Sequence, residues 1–336
     1  VILEDWILAE KISEIILARD NDNFSANLFK FFDGFANNLN VDAFLEKVQP
    51  KYIDLNFLKV IKIWKNFDTL KTVPLGPDSC LPIICLHSGI FYLIKGDSDL
   101  SQKFFESLDK KEFESYRIKE LLLLWSLKSN KNNSEKYLKQ LNDYDLNIQK
   151  YDLNYLLANK DLLNPILNKK DGMAEILYNI SSWFYSKSLY KYAAFFGKIS
   201  LKYRPDFNAM KLLLSGTLQQ LEYYNIGISY VDKPNKDNIY FYKFIRTKLS
   251  FFEEKNLNEQ FILTLTEFTK SYPDRTEMKI LLGDKFRKMK KYDDAIRIYT
   301  EVINRDKVKS NWNVLYSRGI SYERINKWDK AESDLK

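Results

Sequence analysis

The stretch TEMKILLGDKFRKMKKYDDAIRIYT, residues 276–300, decides how the chain folds. It is a polar-apolar segment rich in Leu, Ile, Lys and Met, residue types that favour helix over strand. Gly283 and Ala295 are small enough to let two helices approach closely, and Phe286 and Tyr299 fill the space around them. Tyr292 stands where an aromatic ring can plug the turn between the two helices.

Outward from Ala295 the same pattern repeats. Ala193, Gly227, Phe261 and Ala295 are spaced 34 apart, and Ala331 follows after 36, with the two extra residues placed in the Lys307–Asn311 loop. Three residues before four of these sites stands an aromatic, Tyr190, Tyr224, Tyr292 or Trp328, and in the Phe261 unit that place is Asn258. The first helices present Phe184, Leu218, Phe252, Phe286 and Tyr322 at one equivalent position. Tyr203–Asp206 (YRPD) and Ser271–Asp274 (SYPD) each end one helix and start the next, because Pro fits a first turn and Asp can cap it. Phe261 at a small-residue site implies that its helix pair is splayed or shifted in register.

These residues resemble the tetratricopeptide repeat, a 34-residue helix-turn-helix unit with Leu-Gly, Tyr, Ala, Phe, Ala and Pro at fixed offsets. The unit from Thr276 matches best, although Val302 and Lys307 stand where Ala and Pro are usual. The resemblance implies an all-α, right-handed superhelical solenoid of antiparallel helix pairs. More of the chain is similar to long alphaproteobacterial tetratricopeptide proteins that carry an N-terminal secretion signal. The carrying residues are Asp171–Glu175 with Tyr178, Leu282–Asp284, Leu315–Gly319, Glu323-Arg324, Trp328, Ala331-Glu332 and Asp334-Leu335. That resemblance implies a periplasmic or envelope-associated scaffold with further repeats beyond Lys336, while a cytoplasmic placement stays open.

The N-terminal half is less regular. Trp6 and Ala9 repeat the aromatic-x-x-Ala signal, Ala43 falls 34 residues after Ala9, and Asn23-Phe24 opens the helix between. Gly89 is a second anchor, with Lys95-Gly96-Asp97 as the turn and Phe104-Phe105 on the following helix. Pro74, Gly76, Pro77 and Pro82 interrupt the stack. The expected organisation is N-terminal helical repeats over 1–68, a Pro/Gly-containing break over 69–82, irregular helix pairs over 83–170 and a regular array over 171–336, with the register open from about Tyr52 to Leu163.

Composition agrees with an all-α chain: 45% of the 336 residues are hydrophobic, and only 10 Gly and 8 Pro break helices. The net charge of +7 comes mostly from scattered Lys. No clustered basic stripe appears, so nucleic acid is not an expected partner. The longest uncharged run, Ser79–Ile94, is too short to span a membrane and reads as a buried helix. Cys80 and Cys85 could be bridged or free.

No phosphate-cradling glycine loop, HExxH, calcium loop or nucleophile elbow is present. Cys85 and His87, two apart on a helix, point in opposed directions, and His87 reads as an interior residue rather than a ligand. No catalytic residue, cofactor or metal is therefore expected. Recognition falls on the concave wall formed by the first helices, where positions 2, 5, 9 and 12 of each unit share one face. The strip comprises Tyr178, Ser182 and Tyr185, then Leu212, Gly216 and Gln219, then Lys243, Arg246 and Ser250. Ile280, Asp284 and Arg287 continue it, followed by Tyr316, Ile320 and Glu323. Tyr and Arg anchor protein interfaces, which points to a protein or peptide partner in this groove. The Lys and Asn set that clamps a C-terminal carboxylate in some relatives is not evident, and that ligand is not expected. An RNA-binding repeat protein would need a continuous basic inner face, and an enzyme would need an active site outside this sequence. Lys198 and Lys330 are expected to be exposed on second helices.

Overall fold

The computed structural model describes residues 5–48, 54–110, 115–129, 133–144, 152–236, 238–305 and 312–336; the Lys307–Asn311 loop lies outside them. Among the described residues the chain is all helix and turn, with no strand. It forms two compact units, Val1–Thr247 and Lys248–Lys336.

The first unit opens with α1 (Trp6–Arg19), α2 (Phe24–Ala36), α3 (Asp42–Glu46) and α4 (Leu55–Lys65). After the Pro/Gly segment come α5 (Pro82–Lys95), α6 (Ser98–Asp109), α7 (Tyr116–Ser129), α8 (Ser134–Tyr144), α9 (Leu153–Ala158) and a 3-10 turn, Lys160–Leu163. Then follow α10 (Lys169–Ser186), α11 (Tyr190–Tyr203), α12 (Asn208–Gln220), α13 (Tyr224–Ser229) and α14 (Phe241–Glu254), which runs on into the second unit. That unit continues with α15 (Asn258–Ser271), α16 (Thr276–Lys288), α17 (Tyr292–Arg305), α18 (Trp312–Arg324) and α19 (Trp328–Leu335).

From α10 onward the helices are antiparallel pairs, and the backbone records their period. Ser188, Glu222, Asn256, Lys290 and Asn326 all have positive φ, between 54° and 64°, at steps of 34, 34, 34 and 36. Each closes a first helix with the same left-handed turn. In each, the following N–H (Leu189, Tyr223, Leu257, Lys291 or Lys327) donates to the carbonyl five residues back, on Phe184, Leu218, Phe252, Phe286 or Tyr322. The bulky ladder read from the sequence is thus the set of residues whose carbonyls accept these bonds. The Phe261 pair keeps this register: Asn256 makes the turn, and Phe261 is buried beneath Lys285 Nζ, 4.5 Å from its ring centroid. A shift in register is therefore excluded.

The helix crossings are tight. A Cβ on Gly283 would stand 2.6 Å from the Tyr299 ring, and Ala193 and Ala295 are fully buried. Ser181 Oγ donates to the Ala193 carbonyl at 2.8 Å, and one repeat later Ser215 Oγ donates to Gly227 at 2.9 Å. The pair α5–α6 reuses the device: Gly89 faces the Phe105 ring, Ser101 Oγ donates to the Gly89 carbonyl, and Gly96 makes the left-handed turn at φ 82°. Pro82 begins α5, and Asp97 caps α6 by accepting from the Leu100 N–H. One second helix departs from the pattern. α13 stops after six residues, and Pro234, which cannot donate to a helix ladder, follows in the connection to α14.

The core of the first unit is made by its N-terminal helices folding back onto the repeats. α2 lies on α11, where Phe32 meets Phe196 edge-to-face at 6.3 Å and Phe35 meets Tyr203 at 5.8 Å. Lys202 pairs with Asp33, and Tyr203 donates its hydroxyl to the Phe32 carbonyl. α4 lies on α10, where the Trp64 ring occupies the space a side chain at residue 172 would fill, so only glycine fits there.

Candidate protein-binding site

A cleft of ≈ 390 Å³ opens in the first unit between α7, α10, α12 and the start of α14. Four tyrosines line it, Tyr116, Tyr178, Tyr185 and Tyr240, with Leu212, Leu213 and Gly216 as its apolar wall. Lys243 and Arg246 stand three apart on α14 and therefore share one helix face. Lys243 Nζ lies 5.2 Å from the Tyr116 ring centroid, and Arg246 is exposed. Among the described residues no carboxylate lines the cleft.

The floor is fixed by a buried charge network. Arg117 forks onto Glu175, with Nε 3.1 Å from Oε1 and Nη2 2.8 Å from Oε2. It also donates to the Leu163 and Asn164 carbonyls at 3.0 and 2.9 Å and pairs with Glu120 Oε2 at 2.8 Å. Asn164 takes a left-handed backbone, φ 48°, that follows the 3-10 turn. Tyr240 donates its hydroxyl to Glu120 Oε2 at 2.6 Å, which links the network to the cleft floor. Arg117, Glu120 and Glu175 are 2%, 0% and 0% exposed. Burial pushes the Glu120 carboxyl above its ordinary range, only partly offset by the Arg117 charge. Burial alone would lower the Arg117 pKa, but the two carboxylates outweigh it and hold the guanidinium firmly charged. An ion network of this kind holds elements together at fixed geometry; removing one partner leaves a charge stranded in the core.

Of the sequence-selected strip, Tyr178, Tyr185, Leu212, Gly216, Lys243 and Arg246 meet around this one cleft. Ser182 and Gln219 are half-buried on α10 and α12 outside its lining. Asp284, Arg287, Tyr316 and Glu323 belong to the second unit. There Asp284 Oδ1 accepts from Tyr299 Oη at 2.6 Å, and Arg287 Nε donates to the same hydroxyl at 3.3 Å. This contact ties the strip to the helix crossing. Tyr316 is 53% exposed and Glu323 is half-buried on α18.

Sequence reading missed Tyr116 and Tyr240, which come from outside the repeat positions. The apolar run Ile239–Tyr242 immediately before and within α14 is the signal that could have pointed to Tyr240. One expectation is overturned: Lys198 is 1% exposed, with Nζ 2.5 Å from the Tyr230 hydroxyl and 4.7 Å from its ring centroid. Its helix, α11, is covered on a face that repeat position alone leaves open. Lys330 is exposed.

His87 is an interior residue. Trp64 Nε1–H donates to its Nδ1 at 2.8 Å, and burial lowers its pKa to about 3. Cys80 and Cys85 form a disulfide. No cluster of three metal-binding side chains occurs among the described residues, and no helix there is long and apolar enough to cross a membrane.

No known family model matches the chain, and none of the curated proteins does. Among solved structures it is similar to the MamA protein, at 18% identity and a TM-score of 0.39 over 48% of this chain and 88% of that one. It is similar to YrrB, described as a TPR protein with an unusual peptide-binding site, at 16% identity and 0.37 over 50% and 84%. It is also similar to the P58(IPK) TPR domain, at 18% identity and 0.25 over 99% and 87%. The chain's own geometry from α10 onward is one of antiparallel helix pairs with a tetratricopeptide-like period.

Proposed function

We propose that this chain is a non-catalytic scaffold that holds a segment of a partner protein, with the cleft between α7, α10, α12 and α14 as its working surface. The reading is carried by one observation: side chains from three successive first helices, Tyr178 and Tyr185, Leu212, then Lys243 and Arg246, border a single open cleft. Aromatic bodies and a planar cation on a shared wall are the groups that dominate protein interfaces. In the second unit the corresponding surface is the α16 and α18 face bearing Asp284, Arg287, Tyr316 and Glu323.

The test is capture of a partner followed by comparison of Tyr185→Ala, Arg246→Glu and Lys330→Ala at matched melting temperature. A cleft anchor should cost about 1–3 kcal/mol of affinity, whereas Lys330→Ala should be neutral. Equal binding by all three variants would refute the cleft as the working surface.

A second observation, the Cys80–Cys85 disulfide, supports an oxidising compartment such as the periplasm or envelope. Blocking free thiols in intact cells before lysis should leave both cysteines unlabelled; labelling of both would place the protein in a reducing compartment.

A further inference from the structure

We infer that the outer face of α1 is a self-association surface, on which a second copy of this chain lays its own α1 antiparallel about a two-fold axis at Ile12. The surface lies on other helices than the cleft proposed above, so either reading can fail without the other.

Two observations carry it. First, α1 is apolar on two faces, and one of them is exposed. The inner face, Trp6, Ala9, Ser13, Ile16 and Leu17, is buried or half-buried. It is held by Lys202, whose Nζ lies 4.7 Å from the Trp6 ring centroid, and its edge by Lys30 of α2, which reaches Glu10 and Glu14 at 3.2 and 2.8 Å. On the outer face Leu8, Ile12 and Ile15 are 50%, 46% and 56% exposed. Their helical spacing sets them in one line along α1. A helix that is apolar on both sides is one that becomes enclosed on both. The line also borders a groove of ≈ 680 Å³ between α1, α2 and α11, walled by Leu28, Tyr192, Phe195 and Phe196. Side chains from a helix laid along α1 have this groove to enter.

Second, the stripe is complementary to itself. Asp5, Leu8, Ile12, Ile15 and Arg19 lie on one line, all exposed, and read acid, three apolar residues, base. With a copy run antiparallel and Ile12 at the axis, Asp5 meets the end that bears Arg19 of the second copy, and Leu8 meets the turn that bears its Ile15. A parallel arrangement would instead set Asp5 against Asp5 and Arg19 against Arg19, which costs free energy at both ends. Asp5 Oδ1 caps α1 by accepting from the Leu8 N–H at 2.9 Å, which leaves its other oxygen for the second copy. Lys11 flanks the stripe, and its long stem carries the charge outward to solvent. The contact is isologous, the form that closes as a dimer. Such a pair presents every binding surface of the chain twice, so a partner with two matching segments is held with avidity.

The experiment is sedimentation equilibrium of the chain over a concentration series, beside Ile12→Glu at matched melting temperature. The expected result is a reversible dimer whose dissociation constant rises on the order of ten-fold or more in Ile12→Glu, which sets a charge into each half of an apolar contact. Cross-linking gives a second readout that does not depend on Ile12→Glu folding. Cys80 and Cys85 are joined to each other, so Ile12→Cys carries one free thiol. A short bismaleimide should link Ile12→Cys into a covalent dimer and leave Ile7→Cys monomeric. Residue 7, although 71% exposed, sits about 100° around the helix from Leu8 and away from the axis. A chain that stays monomeric throughout the series, or a dimer that Ile12→Glu leaves unchanged, would overturn the inference. Equal cross-linking of the two variants would overturn the antiparallel arrangement. A monomer that takes up a fluorescent fatty acid, and loses it in Ile12→Glu, would assign the groove to a lipid tail in place of a second copy.

Discussion

The helix pairs α10–α11 and α16–α17 are built from the same repeat, with the same left-handed turn at Ser188 and Lys290 and the same buried alanine at Ala193 and Ala295. Their surroundings differ. α11 buries Ala193, Ala194, Phe196, Gly197, Lys198, Ile199, Ser200, Leu201 and Tyr203, whereas α17 buries only Ala295, Ile298, Tyr299 and Val302. α17 is an ordinary surface helix, with Arg297 flanked by Asp294 at 3.6 Å and Glu301 at 3.3 Å. α11 is a core helix covered by α2. A repeat therefore specifies its own hairpin, while its depth in the protein is set by what else the chain lays upon it.

Glu175 and Glu277 make the sharpest version of this comparison. They are the same residue type at the same repeat position, three units apart, yet Glu175 is fully buried against Arg117 while the Glu277 side chain is 49% exposed, 3.5 Å from Arg275. Glu175→Ala should destabilise the first unit by about 3–5 kcal/mol, because Arg117 keeps its charge without its main partner. Glu277→Ala should stay within about 0.5 kcal/mol. Native-state hydrogen exchange of α7 and α10 against α16 measures both, and similar effects would mean the two environments do not differ energetically.

Acid should also separate the units, since the single His lies in the first. The His87 pKa falls from an ordinary 6.5 to about 3 on folding, so the neutral form is the one the fold favours. Its contribution is complete above pH 6.5 and is lost progressively as pH falls toward 3; at about pH 5 the loss is on the order of 2 kcal/mol. Glu120 has the opposite sign. Its raised carboxyl pKa gives a contribution present in acid and lost as pH rises through the folded value. His87→Gln, which keeps an acceptor for Trp64, should flatten the acid loss in the first unit; an unchanged profile would assign that loss elsewhere.

Lys198 and Lys330 extend the comparison to smaller effects. Lys198→Ala removes a buried bond to Tyr230 and should cost about 1–2 kcal/mol, while Lys330→Ala should be neutral. Equal melting temperatures for the two variants would show that burial of Lys198 carries no net stability.

The hairpins of the array were legible because their signals are local: small residues, bulky residues and turns recur within one unit. α11 itself carried a hint of its depth in AAFFGKIS, residues 193–200, which is apolar on more than one face, in contrast to DDAIRIYTE, residues 293–301. What covers α11 was not legible. Asp33, Phe32 and Trp64 find Lys202, Phe196 and Gly172 more than a hundred residues away, and no spacing rule joins them. The cleft was half legible for the same reason. Repeat position located Tyr178, Tyr185, Lys243 and Arg246, but Tyr116 reaches the site from α7, and its register could not be set by the repeats.

The five left-handed turns have a consequence for engineering. None of Ser188, Glu222, Asn256, Lys290 and Asn326 is glycine, so the register is held by a backbone bond rather than by the residue best suited to the angle. Glu222→Gly and Lys290→Gly should each raise stability by about 1 kcal/mol, and Asn256→Gly by less, since asparagine already tolerates this conformation. Because the turns lie on separate hairpins without shared partners, the gains should add. The chain thus carries a ready-made set of thermostabilising positions that can be filled one at a time without redesigning any helix.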